Sequence, residues 1–206
     1  MSARLQPGDT LVIATHNSGK LREIEAMLAP WRLRLIAAGD LGLPEPDETG
    51  ATFEDNARLK AVAAAEASGM PALGDDSGLA VEALGGQPGI YSARWAGSGR
   101  DRDFAHAMRT VEEKLRAVAA TTAEERRAKF VAVVSYAEPT GEPLTFRGEV
   151  AGTLVWPPRG ERGFGYDPMF VPDGEQRTFG EIAPADKDAV SHRARAIAAF
   201  AAKVLA

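Results

Sequence analysis

Residues 15–20 form a segment of polar side chains and one glycine that could bind phosphate. They are Thr15, His16, Asn17, Ser18, Gly19 and Lys20. The apolar run Thr10–Ala14 precedes them and apolar residues at helical spacing follow, which predicts a strand, a loop and a helix. A helix N-terminus offers backbone amides and a partial positive charge, to which Lys20 adds a full charge, so the segment could cradle a phosphate. It could instead be a simple helix cap, with Ser18 capping and Lys20 in solvent.

Two adjacent carboxylates, Asp75 and Asp76, open a second polar segment that continues with Ser77 and Gly78. Adjacent carboxylates repel each other unless a cation or solvent compensates, and Mg²⁺ takes hard oxygen ligands of this kind. Asp, Ser and Gly are also the usual residues of turns, so the segment could be an ordinary polar turn. In either case we expect a tight turn here, followed by a strand over residues 79–84.

A loop rich in proline and acidic residues, residues 41–50, could supply a further carboxylate. The candidates are Glu45, Asp47 and Glu48. Acidic runs of this kind are usually solvated, and their spacing does not choose among the three side chains.

An aromatic segment with flanking glycines lies in the second half of the chain. It contains Phe164, Gly165, Tyr166 and Asp167. A planar base can approach an aromatic ring closely where glycines flank it, and stacking of a base contributes about 1–3 kcal/mol. The alternative interpretation is a turn whose two aromatic rings fill the core.

Three nitrogen-bearing side chains lie near the start of the last helical segment. Lys187 could reach a base or a phosphate, while His192 and Arg193 could donate hydrogen bonds to a base carbonyl. The alternative is a charged helix face in contact with solvent.

The rest of the pattern predicts strands and helices in alternation. Thr52 and Asp55 resemble a capping box that opens a helix over Phe53–Ser68, which Gly69 would end. We also expect a helix from Asp101, a helix over residues 188–205, and strands over residues 32–37, 130–136 and 144–156. Alternation of this kind is typical of an α/β fold with a mixed sheet.

The composition disfavours several classes of protein. A net charge of −5 lacks the basic excess of a general nucleic-acid binder, so a polyphosphate ligand would need a local cationic pocket, a metal or both. No apolar run approaches the ~20 residues that cross a bilayer, and residues 1–9 do not resemble a secretory signal. The absence of cysteine fits a reducing cytosol. We therefore expect a cytoplasmic protein without nucleic-acid or membrane partners.

Together and in this order, the motifs resemble the inosine triphosphate pyrophosphatase family, which acts on non-canonical purine nucleoside triphosphates. The matching stretches are residues 14–20, 49–57, 75–79, 84–94, 163–168 and 191–194. They span nearly the whole chain, and no motif position departs from the family pattern. The resemblance implies one domain over residues 1–206, with an elongated mixed central sheet, flanking helices and two lobes around a nucleotide-binding cleft. It also implies a homodimer.

The resemblance further implies roles for individual residues. Residues 15–20 would contact the triphosphate, and Asp76 would be the catalytic base and a metal-bound carboxylate. Glu48 is the best match for the second carboxylate that binds Mg²⁺, with Asp47 and Glu45 as rivals. The other residues of the nucleotide site would be Ser77, Phe164, Gly165, Tyr166, Asp167, Lys187, His192 and Arg193.

The implied reaction is hydrolysis of ITP, dITP or XTP to the nucleoside monophosphate and pyrophosphate, which cleanses the nucleotide pool. Water would attack the α-phosphorus while Asp76 accepts its proton and Mg²⁺ neutralises phosphate charge. A Maf-like pyrophosphatase for other modified nucleotides is one alternative. A non-catalytic nucleotide-binding domain is another, and the joint presence of Asp75, Asp76 and Lys20 disfavours it.

Overall fold

A mixed sheet of six strands runs through the computed structural model, which describes residues 4–97 and 102–206. The strands are β1 (Thr10–Ala14), β2 (Arg34–Ala37), β3 (Ala72–Val81), β4 (Arg127–Ala137), β5 (Leu144–Leu154) and β6 (Phe170–Pro172). Their order is β2-β1-β3-β4-β5-β6, with β1 parallel to β2 and β3 and with β6 antiparallel to β5. The α/β fold with a mixed sheet is therefore confirmed.

Within the described ranges, six α-helices accompany the sheet. They are α1 (Ser18–Leu28), α2 (Phe53–Ser68), α3 (Ser92–Trp95), α4 (Phe104–Ala117), α5 (Pro184–Val190) and α6 (His192–Val204). Short 3₁₀ segments occur at Ala29–Trp31, Ala38–Leu41, Glu82–Leu84, Gly89–Tyr91 and Asp167–Met169. The expected helix start at Asp101 lies outside the described residues.

The local signals for α2 are confirmed at both of its ends. The hydroxyl of Thr52 accepts from the amide of Asp55, and the Asp55 carboxylate accepts from the amide of Thr52, which completes the capping box. At the other end Gly69 adopts a left-handed φ of 67°, the conformation that favours glycine after a helix. Both ends of α2 are therefore set by residues that are neighbours in sequence.

The expected turn at Asp75–Gly78 is wrong. All four residues lie inside the ten-residue strand β3, and the side chains of Asp75 and Asp76 are buried. Turn formers are favoured in turns because their polar groups meet solvent or nearby backbone there. Here cationic side chains from distant segments satisfy the two carboxylates instead, so the strand continues through them.

The expected single helix over residues 188–205 is also wrong. The chain forms α5 and α6, separated at Ser191, whose ψ of 159° is extended. The side chain of Ser191 is buried, and its amide donates to the carbonyl of Lys187, which closes α5. Arg193 therefore lies in the first turn of α6.

The chain divides into two compact units. One comprises residues 1–76, 132–148 and 193–206, and the other comprises residues 77–131 and 149–192. Each unit has its own apolar core. Leu11, Ile13 and Leu73 lie in a core of the first unit, and Leu79, Phe130 and Phe170 lie in that of the second. Strands β3, β4 and β5 each contribute residues to both units.

In the part of the chain that the structure describes, no helix is both long enough and apolar enough to cross a membrane.

Removing the hydroxyl that caps α2 should weaken the fold. We expect Thr52→Ala to lower the free energy of unfolding by about 1 kcal/mol, because the amide of Asp55 loses its acceptor. Urea denaturation followed by circular dichroism measures the change. Thr49→Ala is the matched control, since Thr49 is exposed and precedes the cap, and its effect should stay within about 0.5 kcal/mol. Equal effects of the two substitutions would contradict the role of the cap.

Candidate active site

Asp75 is a buried carboxylate of the first unit. Its Oδ1 accepts from Nε of Arg193 at 3.0 Å, and its Oδ2 lies 2.6 Å from Nζ of Lys20. Burial alone would raise the pKa of Asp75, but the charges and hydrogen bonds of Arg193 and Lys20 hold it well below its usual range. Asp75 is therefore ionised and ties the start of α1 to the start of α6.

Arg193 is only 1% exposed and pairs with two carboxylates. Besides Asp75, its Nη1 donates to Oε2 of Glu23, a residue of α1. Burial opposes the charge of Arg193, yet Asp75 and Glu23 hold the pKa of the guanidinium above its ordinary value. The sequence suggested Arg193 as a donor to a base. In the structure its contacts are with Asp75 and Glu23, which are distant in sequence, so residue spacing could not predict them.

Asp76 has a different environment from its neighbour. It is 4% exposed, its Oδ2 accepts from Nδ2 of Asn56 at 3.2 Å, and its Oδ1 lies 3.6 Å from Nζ of Lys60. Burial raises the pKa of Asp76, and the positive charges of Lys60 and Lys20 only partly offset this effect. The surroundings therefore shift the pKa values of the two adjacent carboxylates in opposite directions.

Lys60 and Asn56 are site residues that the sequence reasoning missed. Lys60 is 4% exposed, and its Nζ lies 2.5 Å from Oε1 of Glu48. Burial disfavours its charge, but Asp76 and Glu48 raise the pKa of Lys60 above the ordinary value. The available signal was spacing: Asn56 and Lys60 are four residues apart on α2, on the face that buries Ala57, Ala61 and Ala64. Polar residues on an apolar helix face indicate buried partners.

The close approach of α2 to β3 depends on Gly74. A Cβ at this position would meet the carbonyl oxygen of Ala57 and lie 2.6 Å from the amide nitrogen of Ala61. The missing side chain allows the backbone of the helix to pack directly on the strand. This contact brings Lys60 and Asn56 to Asp76, two residues further along β3.

The predicted phosphate segment forms the loop and first turn between β1 and α1. Its capping residue is Asn17 rather than Ser18: Oδ1 of Asn17 accepts from the amides of Gly19 and Lys20, at 2.9 and 3.1 Å. The amide of Asn17 in turn donates to Oγ1 of Thr15 at 3.2 Å. Lys20 points to Asp75, so the lysine at this helix start is held in place by the buried carboxylate.

The three acidic candidates of residues 41–50 have different positions. Glu48 shares the ammonium of Lys60 with Asp76, so these two carboxylates meet at one cation. Glu45 is half exposed, and its Oε2 lies 3.9 Å from Nδ1 of His16. For Asp47 the backbone carbonyl accepts from the amide of Thr49, and its side chain is exposed. Glu48 is therefore the one of the three that the structure brings to Asp76.

A second cluster, in the second unit, contains most of the predicted base-binding residues. Oδ2 of Asp167 accepts from the amide of Phe164 at 2.8 Å and from Nζ of Lys187 at 2.7 Å. The ammonium of Lys187 also lies 5.0 Å from the ring centroid of Phe164, a cation–π distance. A Cβ at Gly163 would collide with Asp167, which explains the glycine there. The cluster orders one aromatic ring beside a buried ion pair.

The other predicted residues of this region have plainer roles in the structure. The hydroxyl of Tyr166 donates to the carbonyl of Ser92 at 2.9 Å, and burial raises its pKa. Gly165 has a left-handed φ of 69°. The ring of His192 stacks on Phe130 with centroids 4.9 Å apart. Ser77 follows Asp76 in β3 and is half-buried. Tyr166 is therefore a core residue, the alternative that the sequence had left open.

The donors near Asp76 suit a hard divalent cation bound together with a phosphate. Among residues 4–97 and 102–206, no group of three or more His, Cys, Asp or Glu side chains could hold a metal by itself. Mg²⁺ is usually bound by one or two carboxylates, with substrate phosphates and water completing its octahedron. Glu48 and Asp76 already converge on the cation of Lys60, so they match that requirement.

A strand, a capped loop and a helix with a lysine in its first turn, beside paired buried aspartates, are typical of α/β proteins that bind polyphosphates. Comparison with known proteins gives the family. The model of the Ham1 family matches residues 11–203, and the chain belongs to this family.

Curated relatives match the chain over most of its length. A dITP/XTP pyrophosphatase of Caulobacter vibrioides is 58% identical over 191 residues, which cover 93% of this chain and 95% of the relative. A dITP/XTP pyrophosphatase of Brucella melitensis is 54% identical over 204 residues, which cover 95% and 93% of the two chains.

Solved structures share the fold. A HAM1 protein from Coxiella burnetii has a TM-score of 0.84 at 37% identity, covering 94% of this chain and 97% of its own. A nucleoside-triphosphatase, also titled dITP/XTP pyrophosphatase, from Mycobacterium abscessus has a TM-score of 0.72 at 40% identity, covering 93% and 97%. These likenesses extend across both compact units.

Neutralising Asp75 should destabilise the protein strongly, because Arg193 would keep its buried charge and lose a partner. We expect Asp75→Asn to lower the free energy of unfolding by roughly 3–5 kcal/mol, measured by urea denaturation. The matched control is Asp173→Asn, which breaks the half-exposed pair of Asp173 with Arg127 and should cost at most about 1 kcal/mol. Similar losses in both variants would show that burial of the Asp75 pair is not what matters.

Proposed function

We propose that this chain hydrolyses non-canonical purine nucleoside triphosphates, namely ITP, dITP and XTP, to the monophosphate and pyrophosphate. The observation that carries this proposal is the pairing of Lys20 with Asp75 and of Lys60 with Asp76, at adjacent positions of β3. The relatives named dITP/XTP pyrophosphatase support it. Such an activity removes damaged purine nucleotides from the nucleotide pool.

The loop between β1 and α1 would bind the triphosphate. Lys20 lies at the start of α1, where the helix dipole favours an anion. Asp75 holds the Lys20 ammonium at 2.6 Å, so the side chain is ordered before the substrate arrives. A positioned cation of this kind neutralises phosphate charge without further reorganisation, which is the main catalytic need in phosphoryl transfer.

Glu48 and Asp76 would hold Mg²⁺ together with the substrate phosphates. Their convergence on one ammonium supports this pair over Glu45 or Asp47. When bound, the ion would supply charge neutralisation at the phosphates and orientation of a water molecule. Lys60 would remain close by and balance the carboxylates when the metal leaves.

Asp76 would act as the general base. Its carboxylate is buried, and Nδ2 of Asn56 fixes one of its oxygens. The oxygen of water would form a bond to the α-phosphorus, and the bond from that phosphorus to the leaving pyrophosphate oxygen would break. Asp76 would take the proton of the water, so no covalent enzyme intermediate is needed.

The second cluster would select the base. Asp167 and Lys187 hold the ring of Phe164 in place. Stacking of a purine on this ring would contribute affinity but would not discriminate between bases. His192 would donate to the carbonyl at position six of inosine or xanthosine, while Arg193 stays paired with Asp75 and Glu23. Adenine carries an amino donor there and cannot accept this hydrogen bond, at a cost of about 1–3 kcal/mol for the buried group. The homodimer and the cytoplasmic location stay predictions.

A panel of nucleotides tests the activity and its selectivity. We expect pyrophosphate release from ITP, dITP and XTP at rates at least tenfold above those for ATP, because adenine cannot accept the hydrogen bond from the buried donor. The panel includes GTP and modified pyrimidine triphosphates, with phosphate and pyrophosphate measured separately. Release of phosphate alone, or preference for the modified pyrimidines, would contradict the proposal.

Replacing the general base should lower turnover strongly and leave the fold intact. We expect Asp76→Asn to lower kcat by about 10²–10⁴, since the amide cannot accept the proton of water. Pyrophosphate release from saturating ITP gives kcat, and thermal unfolding checks the fold. Asp40→Asn, at an exposed carboxylate, is the matched control and should keep normal kcat. Near-normal kcat in Asp76→Asn would exclude Asp76 as the base.

A further inference from the structure

Glu48 is carried by a segment that neither a helix nor a strand supports. Residues 43–50 have no regular secondary structure. A cavity of about 90 Å³ lies beside residues 43–46. Its walls are mostly apolar and include Ala14, Ala38, Leu43, Pro44, Ala63 and Ala64. Because this space is not filled by side chains, apolar packing alone does not fix the segment.

Polar contacts hold the segment at its two ends. At one end Nε2 of His16 lies 3.1 Å from the carbonyl oxygen of Leu43, and Nδ1 of His16 lies 3.9 Å from Oε2 of Glu45. At the other end Nζ of Lys60 lies 2.5 Å from Oε1 of Glu48. A carbonyl only accepts, so Nε2 of His16 carries the hydrogen in this contact.

We infer that His16 is a positioning residue, which holds residues 43–48 so that Glu48 meets Lys60 and Asp76. This inference rests on the proposed function of Glu48 and Asp76. It differs from the sequence-based expectation that His16 contacts the triphosphate. The ring of His16 is instead directed to the segment that carries Glu48.

The two roles of His16 predict different losses. A phosphate ligand contributes to nucleotide binding, so its removal would raise KM for ITP. A positioning residue contributes to the ordering of residues 43–48 and to the site that Glu48 completes. Its removal should loosen the segment in the metal-free protein and raise the Mg²⁺ requirement, with little change in KM for ITP at saturating Mg²⁺.

Hydrogen exchange of the metal-free protein is the first test. One hydrogen bond is worth roughly a threefold to tenfold change in an opening equilibrium. The amides of Leu43, Thr49 and Gly50 donate to hydrogen-bond acceptors in this structure. We therefore expect these three amides to exchange threefold to tenfold faster in His16→Ala. His16→Gln should restore slow exchange, because its amide can reach the carbonyl of Leu43. His16→Asn is shorter and should behave as His16→Ala does.

The second test measures pyrophosphate release from ITP at increasing concentrations of Mg²⁺. We expect the Mg²⁺ concentration for half-maximal rate to rise several-fold in His16→Ala and in His16→Asn, and to return in His16→Gln. KM for ITP at saturating Mg²⁺ should change by less than about twofold. The matched control is His106→Ala in α4, where the histidine is exposed, and it should change neither quantity.

Two results would overturn the inference. One is unchanged exchange of the Leu43, Thr49 and Gly50 amides in His16→Ala and His16→Asn. The other is a rise in KM for ITP without a change in the Mg²⁺ requirement, which would make His16 a phosphate ligand. The exchange measurement needs no catalysis, so it still decides the role of His16 if the wild-type protein releases no pyrophosphate. That last outcome would count against the proposed function alone.

Discussion

The fold of the first unit requires polar partners for two carboxylates that are buried next to each other in β3. Burying an unpaired charge is far more costly than folding can tolerate, so each carboxylate in β3 requires cationic or hydrogen-bonding partners. Asp75 pairs with Arg193 and Lys20, and Asp76 contacts Lys60 and Asn56. These partners come from α6, α1 and α2, so the same electrostatic requirement ties three helices to the strand.

This arrangement gives the two aspartates different properties. Asp75 has two close cations, which keep it ionised and make it a fixed anion that orders Lys20. Asp76 has a raised pKa, since burial outweighs the charges around it. A fixed anion and a more basic carboxylate in adjacent positions fit the tasks of holding a phosphate-binding lysine and of accepting a proton.

Sequence reasoning succeeded where partners are close in the chain. Strand β1, the loop after it and the two ends of α2 were predicted correctly, because periodicity and capping operate over a few residues. The same reasoning failed at residues 75–78. It placed the aspartates in a tight turn, while one partner of Asp75 lies 118 residues away. Lys60 was missed for the same reason, since its partners are in other segments.

The sequence by itself determined the local elements, the set of reactive residue types and the family resemblance, because these depend on residue identity and short spacing. The tertiary structure decided which cation meets which carboxylate. It also brought Glu48, rather than Glu45 or Asp47, to Lys60 and Asp76. Those choices follow from the packing of α2 on β3 at Gly74 and from burial of the charges, and neither is encoded by any single stretch of the chain.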